Sequence, residues 1–230
     1  MTFDFETGEV LNVYKPNGMT SFDVVRRIRR WTGCRKVGHA GTLDPSATGV
    51  LLVCTGLATK RVSELMHLEK EYEGTIELGT ATDTDDAEGR VLKQAPVPRF
   101  VLGDIASVLK KFEGEIAQIP PMFSALKQNG RRLYKIARRG EVVFREPRKV
   151  QVYALNILEW ERPFIRVRVR CSRGTYIRAL ARDIGDALNT GGHLKTLRRT
   201  RIGSYSSEDS YSLETLKEII LMNYAHLSVD

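Results

Sequence analysis

Residues 38–49 read GHAGTLDPSATG and carry a single carboxylate, Asp44, the only acid between Asp23 and Glu64. A carboxylate can serve as a nucleophile. A lone one argues against ordinary glycoside hydrolysis, which uses a pair of acids. The plain alternative is a turn, because Asp-Pro starts turns and glycine serves where backbone bends. Two features favour chemistry. Glycine permits close backbone approach to a ligand, and the segment joins a helical pattern to the apolar run VLLVC, which would anchor it rigidly. No phosphate-binding loop ending in Lys-Ser or Lys-Thr occurs, no GxGxxG follows a strand, and no His/Cys/Asp cluster has ligand spacing. The expected chemistry therefore uses no cofactor and no metal. TDTDDAEG at 82–89 resembles a calcium loop only superficially: Ala87 falls at position five and Gln94 at position twelve, so it reads as an acidic turn.

The elements that must position Asp44 follow from periodicity. EVLNVYKP predicts a strand ending at a Pro-Asn-Gly turn. Thr20, with Asp23 three residues on, predicts a helix N-cap, and Val24, Val25, Ile28 and Trp31 form its apolar stripe. The glycine-rich segment is then expected as a loop, GVLLVCTG as a buried strand and LATKRVSELM as a helix. EYEGTIELG places Tyr72, Gly74, Ile76 and Leu78 on one face of a strand. Residues 103–112 and the basic RRLYKIARRG predict helices, the second stopping at Gly140. FIRVRVRCS alternates Ile165, Val167, Val169 and Cys171 against Arg166, Arg168 and Arg170. Thr175 is expected to open a helix with the stripe Ile177, Ala181, Ile184 and Leu188, on which Arg178 and Arg182 share a face. A basic segment runs from Lys195 to Arg201, and a last helix begins near Ser212. Strands and helices without strict alternation predict an α+β fold with a mixed, largely antiparallel sheet flanked by helices.

The chain has 230 residues, 42% hydrophobic and 28% charged, and reads as one domain. No signal peptide is evident at MTFDFETGEV, and VLLVCTG is too short to span a membrane. Cys34, Cys54 and Cys171 are widely spaced, so a disulfide framework is not expected and a cytoplasmic setting is. Net charge is +8. Nine basic residues against two acids lie between Lys127 and Lys149, and ten against two between Arg166 and Arg201, leaving −7 for the remainder. Such polarity predicts a basic face and a polyanionic partner.

GHAGTLDPSATGVL resembles the catalytic signature of the TruB family, the tRNA pseudouridine-55 synthases. NVYKPNGMTS, KEYEGTIELGTATDTDDAEG, QIPPMFSALKQNGRRLYKIARRG, CSRGTYIRALARDIGDAL and HLKTLRRTRIG match other family blocks in the same order, from about residue 11 to 203. The resemblance implies a pseudouridine synthase catalytic fold that isomerises uridine at position 55 of the tRNA T-loop, by base flipping, without a cofactor. It implies Asp44 as nucleophile, Tyr72 stacking on the base and assisting proton loss, and Arg178 as the cation paired with the aspartate. It implies substrate-binding roles for His39, Tyr176 and Leu197, and it includes Lys15 without a defined role. Residues 124–149, with Arg138 and Arg139, match the family's mobile basic insertion that clamps RNA. About 27 residues follow Gly203, so a single catalytic domain without a separate C-terminal RNA-binding domain is expected. The expected partner is the tRNA T-arm stem-loop, with no membrane and no obligate protein partner, and the chain is expected to be a monomer. A non-catalytic reading on the same scaffold, RNA binding or tRNA chaperoning, would show binding without release of the uridine C5 hydrogen.

Overall fold

The computed structural model describes residues 3–5, 7–124, 126–128, 130–137, 139–141 and 143–227. In chain order the elements are β1 (Val10–Lys15), α1 (Ser21–Thr32), β2 (Val37–Ala40), β3 (Thr48–Thr55), α2 (Val62–His67), β4 (Lys70–Leu78), β5 (Thr80–Thr82), β6 (Val91–Gln94), α3 (Leu102–Lys110), β7 (Gly114–Gln118), β8 (Lys127–Gln128), β9 (Arg131–Arg132), α4 (Leu133–Ala137), β10 (Arg148–Glu161), β11 (Phe164–Cys171), α5 (Ile177–Ala187), β12 (Gly192–Ile202), β13 (Tyr205–Ser206) and α6 (Leu213–Leu227). They fall into two compact units, one of residues 1–72 with 197–230 and one of residues 73–196. The chain passes between the units within β4 and β12.

In the first unit β3 is central. It pairs antiparallel with β1, from Val10↔Cys54 to Lys15↔Gly49, and with β2, from Val37↔Thr55 to Ala40↔Leu52. It also runs parallel to β12 at Arg198↔Thr48 and Arg199↔Gly49. Both faces of β3 are covered, which is why Val50 to Cys54 form an unbroken apolar run. Leu51 and Val53 pack with Val24, Val25 and Ile28 of α1 and Leu213, Leu216 and Ile220 of α6. Val50, Leu52 and Cys54 face Leu65 and Ile202. Thr20 caps α1 through a reciprocal capping box with Asp23, which satisfies two of the orphan backbone donors.

In the second unit the strand order is β4-β11-β10-β7, with β10 antiparallel to both β11 and β7. On β11 Ile165, Val167, Val169 and Cys171 are all buried while Arg166, Arg168 and Arg170 are exposed. The acidic turn is the loop of the β5–β6 hairpin. The architecture is thus the mixed, mostly antiparallel α+β arrangement that the periodicity predicts.

Several elements differ in extent from expectation. The glycine-rich segment is a loop only over residues 41–47, because Gly38, His39 and Ala40 belong to β2 and Thr48 and Gly49 begin β3. LATKRVSELM opens as a 3-10 turn over Gly56–Arg61 before α2. RRLYKIARRG opens with β9, so its helix is only Leu133–Ala137. The helix of Arg178 starts at Ile177, with Tyr176 rather than Thr175 as N-cap. Among the described residues no helix is long and apolar enough to cross a membrane.

Candidate active site

Asp44 sits half-buried between two buried anchors, Leu43 and Ala47. Its carbonyl accepts from Ala47 N at 3.1 Å, a turn with Asp first and Pro second, where proline's fixed φ is already suitable. The rest of the loop is tied down by side chains of its own unit. Lys15, fully buried at the end of β1, donates from Nζ to the carbonyls of Pro16 (2.9 Å), Met19 (2.7 Å) and Pro45 (3.0 Å). Gly18 N also donates to Pro45 O at 3.0 Å. Ser21 Oγ accepts from Leu43 N at 2.9 Å and donates to Leu43 O at 3.2 Å. Arg199 of β12, 1% exposed, donates from Nε to Val50 O (2.8 Å) and from Nη2 to Gly41 O (3.0 Å). A buried carbonyl without a partner is costly. These donors therefore fix the loop backbone on both sides of Asp44, itself only half-buried.

Burial pushes the Lys15 ammonium down to about 8; the Asp44 charge opposes that shift and the Arg199 charge adds to it. The motif residue without a defined role is thus a structural donor that shares an electrostatic environment with Asp44. His39, on β2 opposite Val53, is half-buried. Burial, then the Arg199 charge, holds its imidazole below the usual histidine range, while the Gly41 carbonyl pulls it up. A neutral ring follows at pH 7, consistent with packing rather than cationic binding. Tyr72 is 9% exposed, on the face of β4 that buries Lys70. Leu197 is half-buried on β12, two residues before Arg199.

The second unit holds Tyr176 and Arg178 at the start of α5. Arg178 is 6% exposed; Nη1 donates to Thr84 O at 3.0 Å and lies 3.4 Å from Asp86 Oδ2, and Nη2 donates to Phe123 O at 2.9 Å. Asp86 is itself oriented by donation from Thr84 Oγ and from Glu88 N. One turn on, Arg182 donates to Asp85 Oδ2 (2.8 Å), Asp183 Oδ1 (2.9 Å) and Ile119 O (3.0 Å). Asp85 adopts φ 61°, a left-handed conformation rare outside glycine and commoner for Asp and Asn. Burial raises its carboxyl against the pull of Arg182 and Arg178. The acidic turn is therefore a cradle for the two arginines. Among the described residues no group of three or more His, Cys, Asp or Glu could hold a metal ion.

Arg139 is exposed just after α4, whereas Arg138 lies outside the described residues. Sequence reasoning missed Arg199, Ser21, Asp86 and Gln118, whose amide bonds both polar groups of the Tyr176 backbone. Arg199 had one signal: strand alternation places it on the same side as Leu197 rather than with Arg198.

Comparisons with known proteins give the family. Residues 29–177 match the family model of the TruB family pseudouridylate synthase N-terminal domain. Residues 178–228 match that of the tRNA pseudouridylate synthase B C-terminal domain. The chain is 47% identical over 209 residues to tRNA pseudouridine synthase B of Clostridium tetani, covering 91% of this chain and 72% of that protein. It is 50% identical over 210 residues to the protein of the same name from Caldanaerobacter subterraneus, covering 91% and 74%. Among solved structures, a chain of a Cbf5-Nop10-Gar1 complex superposes with a TM-score of 0.73 at 36% identity, covering 93% of this chain and 54% of that one. This chain thus spans about half of that solved chain but nearly three quarters of the bacterial relatives. With the signature loop pinned around its single carboxylate and the family models matching from residue 29 to 228, the chain belongs to the TruB family of pseudouridylate synthases.

Proposed function

We propose that this chain isomerises uridine to pseudouridine in tRNA, at position 55 of the T-loop, with Asp44 as the nucleophile. The supporting observation is the pinned loop: one carboxylate on a loop whose backbone is bound at Gly41, Leu43 and Pro45 and, just beyond it, at Val50, in a chain 46–50% identical to proteins named tRNA pseudouridine synthase B. The reaction breaks the N1–C1′ bond and forms a C5–C1′ bond. C5 loses a proton and N1 gains one, so no oxidant or reductant is needed. Asp44 forms a covalent bond to the substrate nucleotide while the base turns. Tyr72 is proposed to stack on the base and assist loss of the C5 proton. Arg178 is proposed as the cation that favours the ionised carboxylate, since burial alone favours the neutral acid. Tyr176, Leu197, His39 and Lys15 are proposed as substrate-binding residues, Lys15 through the Asp44 loop that it holds.

The target base must leave its stack, at a cost of about a few kcal/mol. The basic insertion at about residues 124–149, with Arg138 and Arg139, is proposed to clamp the T-arm and offset that cost. The protein is read as a cytoplasmic monomer that needs no protein partner. The test is tritium release from C5 of uridine in a tRNA transcript with purified protein alone. Wild-type protein is expected to release it, and Asp44→Ala to release none while its tRNA affinity stays within about tenfold, since one contact among many is lost. Binding without release by the wild type would replace this reading with a non-catalytic one.

A further inference from the structure

Strand β7 ends at Gln118, which is 1% exposed. Its Oε1 accepts from Tyr176 N at 2.8 Å, and its Nε2 donates to Tyr176 O at 3.0 Å. The side-chain amide thereby pairs with one backbone residue as a neighbouring strand would. Tyr176 is the N-cap of α5 and its own side chain caps nothing. The same carbonyl also takes the helical bond from Leu180 N at 3.0 Å. The residues after Gln118 are tied to the same helix: Ile119 O accepts from Arg182, and Phe123 O from Arg178. The segment 118–123 thus meets α5 at Tyr176, Arg178 and Arg182, and leads directly into the basic insertion.

We infer that Gln118 is a positioning residue for the reaction: by holding the backbone of Tyr176 it fixes where α5 starts and how it is rotated, and so where Arg178 presents its guanidinium. The physical reason is local. Arg178 is the second residue of the helix, and first turns fray unless their free donors are bound. Its Nη2 also leans on Phe123 O, only five residues beyond Gln118. The backbone support at Tyr176 and the acceptor for Nη2 therefore come from one short segment, while Thr84 O and Asp86 hold Nη1. The inference rests on the role proposed for Arg178.

Gln118→Met keeps length and approximate volume and removes both bonds. Gln118→Glu keeps the acceptor for Tyr176 N and loses the amide donor. Single-turnover rate constants on a tRNA transcript, tRNA Kd and Tm are measured together. Gln118→Met is expected to slow turnover about 30-fold, within the range that small misplacement of a catalytic group costs, with Kd within about threefold, and Gln118→Glu to lose less. In an Arg178→Lys background the Met change is expected to cost under about threefold, because residues acting through one group are not additive. Three results would overturn the inference: Gln118→Met within about threefold of wild type, the full loss repeated in the Arg178→Lys background, or a loss seen only in Kd. If Gln118→Met does not fold, the Glu variant decides alone, and wild-type turnover there would overturn the inference. An inactive wild type would instead overturn the proposed function, a separate and visible outcome.

Discussion

Arg199 and Lys15 are the two largest fully buried side chains among the described residues, and both direct their donors at backbone carbonyls around one loop. Lys15 in its ammonium form has three N–H donors for three carbonyls; the neutral amine has two. Loss of the proton should therefore free Pro16, Met19 or Pro45 and loosen the turn that carries Asp44. The folded value of about 8 lies below the ordinary 10.5. Between those limits the unfolded chain binds more protons, so this group's contribution to stability rises with pH there. A fall in activity across that window is then not unfolding caused by Lys15. The single-turnover rate is expected to decline with an apparent pKa near 8 in a profile from about pH 7 to 9.5, and Lys15→Met, slower at pH 7 by about tenfold, is expected to lack that limb. A second prediction separates the two arginines of α5. Arg182 contacts Asp85, Asp183 and Ile119, and no role at the substrate is proposed for it. Arg182→Ala should leave Asp85 buried without its closest cation and lower stability by about 2 kcal/mol, discounted for partial exposure, with a smaller effect on turnover. Arg178→Ala should also cost stability, since it leaves Asp86 without this cation and the Thr84 and Phe123 carbonyls without this donor, and should in addition slow the chemical step far more than it weakens binding. Arg178→Lys should recover little, since a point charge lacks the planar fork. Thermal melts beside single-turnover rates test both variants.

At the scale of the element, the signature loop is shorter than its glycine content suggests, because two of its glycines serve strands. Gly49 has φ 102° and lies so close to β12 that a Cβ would stand 2.2 Å from Arg199 O. Its smallness is required by the parallel pairing of β3 with β12, not by a ligand. Gly49→Ala should destabilise by about 3 kcal/mol through backbone strain and steric overlap and loosen the Arg199 contacts that brace the loop. A Tm within about 1 °C of wild type would show that the strands part more easily than this packing implies. The acidic turn has the same logic. Its carboxylates look like a cation site in sequence, yet the hairpin of β5 and β6 delivers Asp85 and Asp86 to the face of α5 where Arg182 and Arg178 lie.

The whole molecule is basic, yet its two basic segments behave differently. Between Arg166 and Arg201, at least seven of the ten cations have acidic partners: Arg166 and Arg168 on Glu73, Arg178 on Asp86, Arg182 on Asp85, Lys195 on Glu77, Arg198 on Glu208 and Arg201 on Glu69. Arg199 is buried. That segment supplies much less field than its count of charges. In the insertion, Arg131, Arg139 and Arg148 are exposed. Salt dependence of tRNA binding should follow this division, because each neutralised phosphate releases counterions. Arg131→Ala with Arg139→Ala is expected to reduce the slope of log K against log salt by about 1.5, and Arg166→Ala with Arg168→Ala by less than about 0.5. Filter binding at several salt concentrations measures both. Equal changes would place the RNA across the strand arginines as well.

The sequence by itself determined what depends on neighbours along the chain. The capping box at Thr20 and Asp23, the alternation in FIRVRVRCS, the apolar run VLLVC within β3 and the stripe of α5 involve residues within a few positions of one another, where helix and strand periods dictate the face. The ordered blocks also carried the family, and with it Asp44 as the residue to examine. Tertiary structure alone decided which side chains hold that residue's loop. Lys15 and Pro45 are 30 positions apart and Arg199 and Gly41 are 158 apart; likewise at the start of α5, Gln118 and Tyr176 are 58 apart. A cation that will be buried against carbonyls looks in sequence like one that will meet RNA. The difference is whether folding brings acceptors to it before solvent or substrate can, and that is settled by strand pairing across the chain rather than by the residue's own type.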